Sequence, residues 1–138
     1  MSGLTESGSN DALEGVLPAA TTLYLGFFTV LPTARDGTGG TEATGSGYAR
    51  IGHGVWVNLL EGGASKRANS GAVTFAALTD DLPGIIGVGL WDAVSAGTLK
   101  YFGPTRNASG NVVTFNFLNT DQPRFLDQEF KIGIKDDD

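Results

Sequence analysis

The run TLYLGFFTV, Thr22–Val30, decides the fold. Aromatic and branched residues fill both parities of this short stretch, and Gly26 is its only small interruption. A run of this length is too short for a buried helix and too rich in strand-forming side chains for a loop. It predicts a β-strand covered on both faces, either a central strand or one whose outer face meets a partner.

The same texture recurs on the C-terminal side. Short runs lie at YARIGHGVWVN (Tyr48–Asn58), AVTFAAL (Ala72–Leu78), IIGVGLWDA (Ile85–Ala93), TLKYFG (Thr98–Gly103), NVVTFNFL (Asn111–Leu118) and EFKIGIK (Glu129–Lys135), with Gly, Pro, Asn and Asp clusters between them. Two runs alternate cleanly. Val113, Phe115 and Phe117 oppose Val112, Thr114 and Asn116, and Phe130, Ile132 and Ile134 oppose Lys131, Gly133 and Lys135. No strand is followed by a long helical pattern, so the chain reads as all-β, an antiparallel β-sandwich of about seven strands, jelly-roll or Ig-like. VSAG (Val94–Gly97) is short enough to close a hairpin, and NASG (Asn107–Gly110) marks the next turn.

Residues 1–20 read differently, as an N-terminal arm preceding a domain over 21–138. Asp11 is placed to cap a helix with Glu14 three residues on, and Pro18 discourages continuation. Leu13, Val16 and Leu17 fall at helical spacing. A helix of two turns is marginal alone, so these three residues are candidates for an interface, with coverage of the chain's own sheet as the equal alternative.

Composition narrows the chemistry. The chain has 138 residues, enough for one core, with 21 glycines and no cysteine. That excludes disulfides, thiolate metal sites and a cysteine nucleophile. A net charge of -6 opposes nonspecific nucleic-acid binding, which needs clustered cations to displace counterions. Lys66 and Arg67 are an adjacent basic pair and read as turn decoration. The acidic end, Lys135–Asp138, reads as a solvated terminus. No segment has the roughly 20 apolar residues of a membrane helix, and the N-terminus lacks a signal-peptide pattern.

The single histidine, His53, stands between two glycines without a nucleophile elbow or an acidic orienter, and reads as structural. Asp80 and Asp81 lead into Leu82-Pro83-Gly84 and read as turn chemistry rather than as a glycosidase pair. A calcium-loop pattern is absent, and no cofactor is expected. The glycine-rich loop over 36–47, within DGTGGTEATGSGY (Asp36–Tyr48), has no lysine and leads into a strand, so it is not a phosphate cradle. It reads as a flexible connector. Exposed Trp56, Trp91 or Tyr101 near carboxylates would instead make a carbohydrate-binding module, a weaker reading because strand alternation places most aromatics in cores.

Taken in order, SNDALEGVL, TLYLGFFT, GTEATGSGYAR, the Val73–Phe75 strand, GVGLWDA and SAGTLKYFG resemble a family of small structural proteins of tailed bacteriophages, labelled tail fibre or head decoration proteins. The resemblance covers Asp11 to about Gly103, and its most specific part runs from Gly40-Thr41-Glu42 to Gly47-Tyr48-Ala49-Arg50. The chain departs from the family pattern at Gly26 and Phe27, and in the stretch from Arg106 to Phe125, which the resemblance leaves out. The resemblance implies a non-enzymatic virion β-sandwich. The leading expectation is a capsid decoration, or cement, protein, binding the major capsid protein and copies of itself as a homotrimer, without nucleic acid or membrane. A tail or tail-fibre component is the alternative. On this reading Thr41, Glu42 and Arg50 join Leu13, Val16 and Leu17 as interface candidates. Arg50 would pair with a carboxylate across a subunit contact, against the simpler reading of a solvated strand arginine.

Overall fold

The computed structural model describes residues 22–34, 36–61, 64–107 and 109–133. The expected N-terminal helix, with Leu13, Val16 and Leu17, lies outside them, as do Ile134 and the acidic end. Among the described residues there are twelve strands and no helix, and the pairings with a defined register are antiparallel. The fold is all-β and antiparallel, in keeping with a β-sandwich.

The chain divides into two compact units, one of Leu23–Gly52 and Thr74–Arg124, the other built around His53–Val73 and the residues from Phe125 onward. In the first, β1 (Leu23–Val30) and β8 (Gly87–Trp91) form the centre of a five-stranded sheet. β9 (Leu99–Pro104) lies beyond β8, while β2 (Thr41–Glu42) and β3 (Ile51–His53) pair with β1. Every residue of β8 is buried, and so are Leu23 and Leu25 through Phe28 of β1. The continuous apolar runs are therefore central strands, one of the two outcomes that their lack of alternation allows. Burying each Leu or Phe contributes roughly 1.5–3 kcal/mol. Phe27 stacks on Phe75 at 4.7 Å and meets Phe117 at 5.5 Å.

Phe117 belongs to β10 (Phe115–Phe117), which pairs with β7 (Leu82–Ile85). β7 is a strand that its sequence disguises, since Leu82-Pro83-Gly84 looks like a turn. Proline is tolerated there because β7 pairs only with β10, and Asn116 Oδ1 accepts the Gly84 N–H at 2.9 Å.

In the other unit β5 (Ala64–Asn69) is the middle strand, flanked by β4 (Trp56–Glu61) and β12 (Lys131–Gly133). Lys66 and Arg67 lie inside β5, which corrects their reading as turn decoration, and Arg67 is buried. ASKRAN carries no apolar alternation, so its strand character comes from its two neighbours and not from local pattern.

Other expected runs are real but shorter. Tyr48–Asn58 is two strands, β3 and β4, separated at Gly54 and Val55. Ala72–Leu78 shrinks to β6 (Val73–Thr74), which pairs with β11 (Arg124–Phe125). Beyond it the Phe75 N–H donates to the Pro123 carbonyl at 2.8 Å, but proline has no N–H to return and the ladder stops. The Val94–Gly97 connection does close the β8–β9 hairpin. The Asn107–Gly110 turn is also present, tied by Asn107 N–H to Asn111 O at 2.9 Å.

Candidate functional site

The glycine-rich loop ends in a compact polar cluster. Gly45, Ser46 and Gly47 all have positive φ, at 77°, 58° and 76°. Left-handed backbone suits the two glycines, which carry no Cβ to clash, and Ser46 between them is held in the same region. The turn is pinned at its middle residue. Ser46 O accepts the Thr79 N–H at 2.8 Å, and Ser46 Oγ donates to Asp81 O at 2.7 Å. On its other side the loop is closed by Asp36, whose Oδ1 accepts from the Thr38 N–H and hydroxyl, holding that carboxyl below its usual range.

Past the turn, Tyr48 and Arg50 converge on Glu42. Arg50 grips the carboxylate bidentately, Nε to Oε2 at 2.9 Å and Nη2 to Oε1 at 2.7 Å. The Tyr48 hydroxyl donates to Oε2 at 2.8 Å and accepts the Phe27 N–H at 3.0 Å. Arg50 Nη1 donates to Ala93 O and Ala96 O at 2.9 and 2.8 Å, holding the β8–β9 hairpin tip. Its guanidinium lies 4.0 Å over the Trp91 ring, a cation–π contact. The Arg50 side chain is only 7% exposed, so this pair is screened far less than a surface one.

Room for the cluster comes from Gly26. A Cβ there would overlap the Tyr48 hydroxyl and stand 2.8 Å from Trp91 Cζ3. Gly26 is thus a close-approach position. Burial first, and then the hydrogen bond to Glu42, push the Tyr48 hydroxyl far above its usual pKa. It is a neutral donor in this site, not a nucleophile.

The cluster's chemistry is that of a clamp. Each charge is matched within the chain, and the remaining donors hold backbone carbonyls. Of the interface candidates, the structure brings Glu42 and Arg50 together and leaves Thr41 exposed on β2, its carbonyl accepting the Thr29 hydroxyl at 3.4 Å. Tyr48 and Trp91 complete the group. Tyr48 carried a signal, its place in the G-Y-A-R ending of the loop, whereas Trp91 comes from a distant strand and could not be joined to Arg50 by spacing.

Elsewhere the acidic residues do backbone work. Asp80 Oδ1 accepts the Asp81 N–H, and Asp81 Oδ1 accepts the Asn119 N–H, both at 2.8 Å. His53 Nε2 lies 2.9 Å from Ser70 O, and its ring meets Trp56 edge-on at 5.2 Å. Trp56 and Trp91 are buried, so neither is an exposed platform for sugar. Among the described residues no group of three or more His, Cys, Asp or Glu side chains gathers as metal ligands, and no helix is long and apolar enough to cross a membrane.

No curated protein matches the chain. A family model described as podophage GP4 fiber I protein gp80 matches residues 5–131, extending through the 106–125 stretch that the sequence resemblance leaves out. With nearly all of its length matched, the chain belongs to this gp80 family of podophage fibre proteins and is a bacteriophage structural protein.

Proposed function

We propose that the protein is a non-enzymatic structural subunit of a podophage tail fibre, working through binding to other virion proteins and to copies of itself. The observation that carries this reading is the match to a fibre protein family over residues 5–131. It favours the fibre over the decoration of the capsid surface, which the sequence resemblance alone had placed first. The clamp fits a mechanical part: a bidentate ion pair, a cation–π contact and two gripped carbonyls tie a long loop to a hairpin tip without leaving a reactive group. Such a rigid body presents its surfaces at low ordering cost, and repeated copies multiply modest contacts.

Electron microscopy of particles made without this protein, together with gold labelling of a tagged copy, tests the reading. The expected result is label on the tail, intact heads, and particles that lack fibres. Label spread over the head, with fragile capsids in its absence, would sink the fibre reading and restore the decoration protein.

A further inference from the structure

Asp-Gly occurs once in the sequence, at Asp36-Gly37, and Asn-Gly does not occur. The pair matters chemically because an aspartyl carboxyl lies one ring closure from the next backbone nitrogen, and glycine puts no Cβ in the way of that closure. The Gly37 nitrogen attacks Asp36 Cγ and forms a C–N bond, while the carboxyl hydroxyl leaves as water with the amide proton. A five-membered succinimide results. Water then adds to one of its two carbonyls and breaks that carbonyl's bond to nitrogen. Hydrolysis at Cγ restores aspartate. Hydrolysis at the main-chain carbonyl leaves the chain running through Cγ, an isoaspartate of unchanged mass.

The closure makes two demands: a neutral carboxyl, since an ionised one has no hydroxyl to lose, and an amide nitrogen able to give up its proton. The folded loop withholds both. Asp36 Oδ1 accepts the Thr38 hydroxyl at 2.8 Å and the Thr38 N–H at 3.0 Å, and these two bonds, the hydroxyl's first, favour the ionised form. The Gly37 N–H is committed to Ala34 O at 2.9 Å. Across the same turn the Thr33 N–H donates to Thr38 O at 3.0 Å. Asp36 is exposed, so water is at hand and burial gives no shelter. Nor can a bulkier, slower residue easily replace the glycine: Gly37 has φ of 85°, and a Cβ there would stand 3.0 Å from Leu99 Cδ2.

We propose that Asp36-Gly37 is a latent isomerisation site, held shut by the hydrogen bonds of its own loop and reactive when those bonds open. Isomerisation adds one atom to the main chain and transfers the carboxylate from Cγ to the main-chain carbon, so the bonds to Thr38 lose their acceptor. The loop that leads from β1 to the clamp then cannot close as before. Only the opened fraction of molecules reacts, as in proteolysis of a transiently open segment. The chemistry is the same whether the protein sits on tail or head.

The test incubates the full-length protein at neutral pH, natively and in guanidinium chloride, and counts isoaspartate at position 36 by electron-transfer fragmentation of the peptide that carries it. Native wild type is expected to isomerise at least about tenfold more slowly than the unfolded chain. Thr38→Val keeps the branched shape and the N–H but loses the hydroxyl. In native buffer it is expected to isomerise about threefold faster than wild type or more, the loss of one ordinary hydrogen bond, with unchanged circular dichroism and an equal rate in denaturant. Native wild type reacting as fast as the unfolded chain would overturn the proposal. A native Thr38→Val rate equal to that of wild type would also overturn it, by showing that the bonds to Asp36 are not the shield.

Discussion

The two units solve the same problem, fixing a polar junction inside a β fold, by opposite chemistry. Around β1 and β8 the solution is ionic: Glu42 and Arg50 meet beneath Tyr48 and beside Trp91. Around β5 it is neutral. Asn69, with no exposed surface, donates from Nδ2 to Gly71 O and Leu126 O at 2.7 and 2.9 Å and accepts the Phe130 N–H at Oδ1 at 2.9 Å. An amide suits a site that needs donors and an acceptor together, because it meets both without bringing a charge that must be desolvated. The ion pair suits a site with a carboxylate to neutralise and carbonyls to hold, which a guanidinium does with one planar group.

If that contrast is right, introducing a charge into the neutral hub is the most damaging single change of its size. Asn69→Asp keeps the shape but turns two donors into an oxygen facing two carbonyls, in a buried site. The expected loss is about 3–5 kcal/mol, against about 2–3 for Asn69→Ala, which leaves groups unpaired but adds no charge. Urea unfolding of both variants makes the comparison. Equal losses, or a smaller one for Asn69→Asp, would show that the hub tolerates charge and that the contrast is false.

The ionic clamp is broken by removing one side of it. Arg50→Ala or Glu42→Ala strands a partner and is expected to cost about 2–4 kcal/mol, with a double-mutant cycle returning about 2 kcal/mol of coupling. Arg50→Lys keeps the charge and loses the fork and the flat contact with Trp91, so it recovers only part of the loss. Coupling near zero would reduce the cluster to a surface-type pair.

Gly26→Ala tests the space rather than the charge. The added methyl overlaps the Tyr48 hydroxyl and presses on Trp91, and a loss of about 1–3 kcal/mol in thermal or urea unfolding is expected. The contrasting change at Gly71, which unlike Gly26 sits at positive φ (87°) and has open space around its Cβ, carries the conformational penalty alone. A larger loss at Gly71 than at Gly26 would mean that packing around Tyr48 gives way easily.

The same contrast explains what the sequence makes legible. Thr22–Val30 and Ile85–Ala93 announce central strands, because burial on both faces leaves a continuous apolar run in the chain itself. β5 announces nothing: Ala64–Asn69 is a strand by virtue of β4 and β12, which pair with it from both sides. β7 is hidden by the residues that let it be an outer strand, Pro83 and Gly84. Half of the clamp is readable in the G-T-E to G-Y-A-R ending, whose spacing places Glu42, Tyr48 and Arg50 within one loop. That the loop folds back so that Glu42 meets Arg50 depends on left-handed backbone at Gly45–Gly47 and on space at Gly26, and neither can be read from residue type alone. Asn69 looks like any strand-end asparagine until Leu126 and Phe130 arrive from the far end of the sequence.

The smallest effect, and the one that reads the clamp's electrostatics most directly, is alkaline. An unfolded tyrosine loses its proton near pH 10, whereas folded Tyr48 keeps its own, because burial and the donation to Glu42 disfavour the anion. Above pH 10 or so unfolding therefore releases this proton. The unfolded state binds fewer protons than the native one, and stability declines as pH rises, with the contribution fully present below pH 10 or so. Tyr101 adds to the same trend, its hydroxyl raised by burial. Tyr48→Phe removes the acceptor for the Phe27 N–H and the donor to Glu42, and is expected to cost about 1 kcal/mol at neutral pH. It should also flatten the alkaline fall in melting temperature, more than Tyr101→Phe does, since the hydrogen bond to Glu42 adds to burial in raising the Tyr48 hydroxyl. A wild-type curve that stays flat to pH 11, or a Tyr48→Phe curve that falls as steeply as wild type, would show that the hydroxyl reaches water and that the ionic clamp is as open as a surface pair.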